Sequence, residues 1–195
     1  MKKIALAGLL IAMMGAASAQ HVYVGGAIGS GNLDVDCNEA REMLNSTTTK
    51  CSQSRNGYKF HVGYKVNSWL AIEGAYLNFG SVRVRDSVSS TFIDVRTEVE
   101  SFAANLAFRG ELGANFSAVG RVGFGQARYS PRGTVRSNTY KINGSSNEDA
   151  IHYGLALEYA FNPRFVGFVS ADFADVQDDD TGRARLLSAG VQFAF

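Results

Sequence analysis

Three histidines, His21, His61 and His152, are the chain's whole supply of imidazole, so any Ser-His nucleophile would have to be built on one of them. His152 has no serine in a His-x-Ser arrangement. His61 and His152 fall on the polar side of their segments, and each of the three is read as a packed or rim residue and not as a catalyst. Cys37 and Cys51, fourteen positions apart in a polar stretch, have no histidine or second cysteine pair beside them to complete a zinc site. In an exported protein they are expected to form a disulfide that restrains a surface loop, worth on the order of 3 kcal/mol. Asp175, Asp178, Asp179 and Asp180 lack the spacing of a calcium loop and read as a solvated loop. Gly25, Gly26, Gly29 and Gly31 precede no helix, so they relieve crowding in a strand and do not cradle phosphate. No cofactor is implied.

A larger set of reactive groups is Lys59, His61, Glu73, Arg109, Arg121, Glu158 and Asp172. Each lies in a short segment where large apolar and polar or small residues alternate, so period-2 geometry places it opposite an apolar face. Eight such segments can be read, at 21–30, 57–66, 69–79, 99–109, 116–129, 150–161, 164–173 and 186–195. In the sixth, Ile151, Tyr153, Leu155, Leu157, Tyr159 and Phe161 alternate with His152, Gly154, Ala156, Glu158 and Ala160. In the eighth, Leu187, Val191, Phe193 and Phe195 share one face and Ser188, Gly190, Gln192 and Ala194 the other.

A strand with an apolar flank on eight successive passes needs an apolar medium around it. The expected fold is all-β, an eight-stranded antiparallel up-and-down transmembrane barrel with lipid outside and a plugged polar interior. The connections alternate between short (66–69, 110–115, 162–164) and long, polar ones (31–56, 80–98, 130–149, 174–185). With a periplasmic N-terminus, the short turns face the periplasm and the long loops the exterior. Within 81–100, Val82 and Val84 alternate with Arg83 and Arg85, and Ser89-Ser90 suits a turn. The third and fourth strands are therefore expected to continue past the membrane as a ribbon. Its edges read as solvated spokes ahead of docking sites for a partner's strand.

The ends agree with export. Lys2 and Lys3, an apolar run to Met14 and Ala17-Ser-Ala19 have the anatomy of a cleaved signal peptide spanning 1–19, leaving 20–195 as the barrel domain. Without Lys2 and Lys3, 17 basic residues face 18 acidic ones, which removes the electrostatic case for nucleic acid. Glycine (21) and phenylalanine (13) are abundant and proline (2) is scarce, as strands prefer.

Gly154-Leu-Ala-Leu-Glu-Tyr-Ala-Phe-Asn-Pro163 resembles the sixth strand and last periplasmic turn of the OmpA-like superfamily of small outer membrane barrels. Leu70-Ala-Ile-Glu-Gly-Ala-Tyr76 resembles that family's third strand, and Gly120-Arg-Val-Gly123 its fifth. The resemblance implies that Glu73, Arg121 and Glu158 belong to a buried ionic network. Where the family places a Lys and an Arg to complete a proposed gate, Asn105 and Phe168 stand here, so packing is favoured over ion conduction. No peptidoglycan-binding domain follows the eighth strand, and the ribbon resembles the OmpX/Ail group of surface barrels.

The resulting expectation is a non-catalytic protein of the Gram-negative outer membrane, with an envelope-structural role, surface-loop contacts, or both. Partners would be outer membrane lipids and lipopolysaccharide, the barrel assembly machinery reading Phe193 and Phe195, and a host or environmental ligand on the long loops. A lipid A-modifying enzyme and a narrow pore are the alternatives.

Overall fold

The computed structural model describes residues 21–33, 50–54, 56–88, 91–135, 140–176 and 183–195. The signal-like segment 1–19, Cys37, Ser89-Ser90 and Asp178 to Asp180 lie outside the described residues, and so does the expected Cys37–Cys51 disulfide. Cys51 is described only as part of a strand's backbone.

Ten strands follow one another: β1 (Val22–Leu33), β2 (Lys50–Ser54), β3 (Asn56–Lys65), β4 (Leu70–Val88), β5 (Thr91–Glu111), β6 (Phe116–Val135), β7 (Tyr140–Asn143), β8 (Ser146–Ala160), β9 (Phe165–Val176) and β10 (Ala184–Ala194). Eight of them close a barrel in the order β1-β3-β4-β5-β6-β8-β9-β10, and β10 pairs back onto β1 from Tyr23↔Ala194 to Leu33↔Ala184. Every pairing is antiparallel. Closure leaves no strand edge facing hydrocarbon, which an apolar medium requires.

Burial follows the alternation read from the sequence. Along β3 it switches at each residue, with Tyr58, Phe60, Val62 and Tyr64 exposed and Lys59, His61 and Gly63 buried. Ile28, Phe124 and Leu155 are 78%, 70% and 69% exposed, a disposition water would penalise and lipid rewards. Rings gather near the short turns. Trp69 stacks on Phe108 at 6.2 Å, Phe116 meets Tyr159 at 4.9 Å, and Phe165 meets Phe193 at 5.1 Å. Such a band is what a membrane–water boundary favours.

Two of the short turns share one device. Asn67 Oδ1 accepts hydrogen bonds from the backbone N–H groups of Trp69 and Leu70, at 3.0 and 2.7 Å. Asn162 Oδ1 does the same for Arg164 and Phe165, both at 2.9 Å. An Asn side chain that closes its own turn explains why both turns can be tight without glycine.

At the other end the strands run further than the amphipathic pattern. β4 and β5 remain paired to Val88↔Thr91, as the expected ribbon requires. The ribbon is not a lone hairpin. β2 pairs with β4 over Lys50↔Arg85 to Ser54↔Ser81, and β6 follows β5 up to Ile93↔Val135, with β7 on its far side. Most of the two edges expected to stand free are therefore covered by β2 and by β6 with β7, strands within segments expected to be long polar loops. A bulge between Asn78 and Ser81 marks the start of this outer sheet. Gly80 takes φ 92° there, a left-handed value suited to glycine, and its N–H donates to Asn78 Oδ1 at 2.9 Å. The inserted residue changes which parity of β4 faces inward, so Phe79 and Val82 are both buried.

Candidate functional site

Among the described residues, buried charged groups converge in the lumen, and the strands place them there by parity alone. Lys59, His61, Glu73, Arg121, Glu158 and Asp172 are each less than a tenth exposed. Arg109, nearer the short turns, has a side chain 20% exposed.

Two clusters form. In the first, Arg121 Nε donates to Glu73 Oε2 at 2.7 Å and its Nη2 to Oε1 at 3.3 Å. Tyr23 Oη donates to the same Oε1 at 2.6 Å. Arg121 Nη2 also lies 3.7 Å from Glu158 Oε1, and Glu158 Oε2 is 2.7 Å from Arg109 Nη2. In the second, Lys59 Nζ donates to Asp172 Oδ1 at 2.6 Å. Ser170 Oγ donates to the other carboxylate oxygen at 2.8 Å and lies 3.0 Å from Ser188 Oγ. Within these clusters three cations (Lys59, Arg109, Arg121) meet three carboxylates (Glu73, Glu158, Asp172), and Lys65, half-buried at the short-turn end with its Nζ over the Tyr23 ring at 6.0 Å, is a fourth inward cation. His61 joins neither ion cluster. Its Nε2 is 3.2 Å from Gln192 Oε1, and its ring packs edge-on against Phe168 at 5.4 Å.

Buried charge is tolerable only when paired and hydrogen-bonded, and the Lys59–Asp172 and Arg121–Glu73 pairs meet that condition. A few polar atoms lack a hydrogen-bond partner: Asn105 Oδ1, Arg121 Nη1 and Glu158 Oε1 among them. A cavity of about 10 Å³ lined in part by Lys59, Asn105, Arg121, His152 and Asp172 has room for a single water at most. Asn105 and Phe168, which occupy the places of the gate residues in the resembling family, both point inward, 6% and 5% exposed. Neither carries charge.

Aliphatic and aromatic layers sit above and below the ions, contrary to a wholly polar filling. Toward the short turns, Tyr23, Ala71, Ala107, Val119, Ala156 and Ala194 pack together. Toward the long loops, Leu33, Leu77, Phe79, Val82, Val99 and Leu186 form a plug with Tyr129 against it. The sequence held a signal for part of this plug. Leu77 is four residues after inward Glu73 and Leu186 two before inward Ser188, so phase assigns both to the lumen although composition assigns them to lipid.

The layers explain three glycines. A Cβ at Gly25 would meet His61 Cε1 at 2.2 Å, and one at Gly63 would meet Tyr23 Cζ at 2.1 Å. The cross-strand pairs are Gly25↔His61 and Tyr23↔Gly63, so each aromatic ring lies over the glycine opposite it. At Gly57 a Cβ would meet Leu186 Cδ1 at 2.5 Å.

One Ser-His contact escaped the sequence reading. Ser101 Oγ is 2.9 Å from His152 Nε2, across β6 from strands that do not pair with each other. No linear motif could have revealed it. Ser101 Oγ also donates to Gln126 O at 2.8 Å. With that single proton committed, Nε2 must be the donor to Oγ, the reverse of the polarity that activates a nucleophile. Ser101 has no exposed surface. Among the described residues no group of three His, Cys, Asp or Glu side chains could hold a metal ion.

The chain matches the model of the outer membrane protein β-barrel domain over residues 4–195. Among solved structures, the N-terminal β-barrel domain of Pseudomonas aeruginosa OprF superposes with a TM-score of 0.56 at 15% identity, covering 90% of this chain and 98% of that one. Ail, the attachment invasion locus protein of Yersinia pestis, gives 0.51 at 20% identity, covering 89% and 97%. Neisserial surface protein A gives 0.50 at 16%, also covering 89% and 97%. At these identities the likeness is one of fold. No curated protein matches the chain in sequence.

Proposed function

Because the chain belongs to the outer membrane protein β-barrel family, we propose that it is a non-catalytic scaffold of the Gram-negative outer membrane that presents its long loops to the exterior. In this reading the segment 1–19 is a signal peptide removed on export. Phe193 and Phe195 are the mark read by the assembly machinery, and a Cys37–Cys51 disulfide restrains the first long loop. Lys59, His61, Glu73, Arg109, Arg121, Glu158 and Asp172 fill the wall-bounded interior and move no ions.

The observation that carries this reading is a lumen of paired buried charges closed by apolar layers inside a wall whose outer face is apolar. Such a body is rigid and inert, and leaves contact chemistry to the loops. Attachment on the same fold has a precedent in Ail, by its name an attachment and invasion protein. Catalysis is disfavoured by the direction of the Ser101–His152 hydrogen bond.

Labelling on intact cells tests the topology. In a chain with Cys37 and Cys51 replaced by Ser, Gly144→Cys should react with an impermeant maleimide and Gly113→Cys only after lysis. The opposite pattern would contradict the orientation. Strains lacking individual long loops should then lose adhesion or serum survival; unchanged phenotypes would leave an envelope-structural role alone.

A further inference from the structure

The inward cations are not equally partnered. Lys59 and Arg121 each have a carboxylate at 2.6 and 2.7 Å, and Arg109 reaches Glu158 through Nη2. Lys65, at the short-turn end of β3, is half-buried, and among the described residues no carboxylate forms an ion pair with it. Its Nζ has only the face of the Tyr23 ring, at 6.0 Å. Arg109 Nε, near the same end, is buried and has no hydrogen-bond partner. Glu111, two residues further along β5, is exposed and is paired with neither cation. A partly buried cation without a counter-charge is costly, and the excess positive charge of the lumen sits at this end.

Lys65 and Arg109 line one cavity together with Asn67 and Ser68, of about 10 Å³, which is room for one water-sized group. Its polar lining is made of donors. Asn67 Oδ1 is committed to the N–H groups of Trp69 and Leu70, so the NH2 is what that side chain has left to offer. Lys65 and Arg109 donate only, and the Ser68 hydroxyl has a proton to donate. Tyr23, Ala71, Ala107 and Val119 complete the lining and belong to the apolar layer toward the short turns. Whatever enters the cavity therefore goes no further into the lumen.

We propose that this cavity holds a single monovalent anion of chloride's size, between the Lys65 ammonium and the Arg109 guanidinium. Water fits the space but brings no charge, and a tetrahedral phosphate or sulfate is too large for it. A spherical acceptor takes hydrogen bonds from any direction, which suits donors converging from two strands and a turn. The ion is held and not conducted, because the apolar layer lies behind it. It occupies this end of the barrel whichever side of the membrane that end faces.

Urea unfolding of the full chain in micelles tests the site, with sodium chloride replacing sodium methanesulfonate, whose anion is too large for the cavity, at constant ionic strength. One ion bound to the folded state alone makes the unfolding constant fall towards about tenfold for each tenfold rise in chloride. The wild type should approach that slope, and bromide should substitute for chloride. Lys65→Met, which keeps the apolar stem and removes the charge, should flatten the slope to near zero, whereas Lys65→Arg should retain it. Arg164→Gln, which removes an exposed cation from the same end, should leave it unchanged. Heat-dependent gel migration verifies folding, and Lys65→Gln replaces Lys65→Met if the latter misfolds. A flat response in the wild type, a slope that survives loss of the Lys65 charge, or one abolished equally by Arg164→Gln would each overturn the proposal.

Discussion

Glu73 and Leu186 are both fully buried in one lumen, yet different forces hold them there. Around Glu73 the stabilising contacts are directional: Arg121 and Tyr23 converge on one carboxylate at 2.6–3.3 Å. Around Leu186 they are volumetric, because Leu33, Leu77, Phe79 and Val99 simply exclude water. A buried charge depends on its partner's identity, whereas a plug depends on its fill. The two regions are therefore expected to respond in opposite ways to pairwise replacement.

The largest effect should follow from breaking the ionic layer on one side only. Glu73→Ala leaves Arg121 with only the more distant Glu158 in the barrel's middle and should cost about 3–5 kcal/mol in urea unfolding in micelles. Lys59→Met alone should behave in the same way, but together with Asp172→Leu most of the loss should return. A double variant as unstable as the sum of its parts would show that the pairs are not what holds the middle.

Volume loss in the plug should rank next. Leu186→Ala is expected to cost about 2–5 kcal/mol, while Leu186→Met, of similar volume, should cost below about 1.5 kcal/mol. Equal costs for the two would remove the distinction between the layers. Overpacking should be milder. Gly63→Ala drives a methyl into the Tyr23 ring and should cost about 1–3 kcal/mol. It should also weaken the Tyr23–Glu73 hydrogen bond, so its effect should shrink in a Tyr23→Phe background. Smallest of all, Arg96→Ala on the outer sheet removes an ion pair whose side chains are 54% and 34% exposed and should shift stability by less than about 1 kcal/mol.

The difference between the regions also decides how much of each could be read from the sequence. Charged residues among apolar ones announce their parity, so the inward direction of Lys59 or Glu158 is legible. Leu77, Phe79 and Leu186 are chemically the same as lipid-facing residues, and only phase distinguishes them. For Val82 even phase fails, because the Gly80 bulge resets the count. β2 and β7 went unread because strands beyond the membrane have no apolar medium to select one face, so period-2 contrast is lost. The Ser101–His152 contact joins strands on either side of β6, and a register several hydrogen bonds away has no local signature.

The claim on which these readings depend is that the lumen is filled along its length. Single-channel recording of the purified full chain in planar bilayers tests it most directly. Wild type should show no steady conductance, because ions would have to pass two apolar layers and a paired ionic one. A steady large conductance in the unmodified protein would contradict the filled lumen.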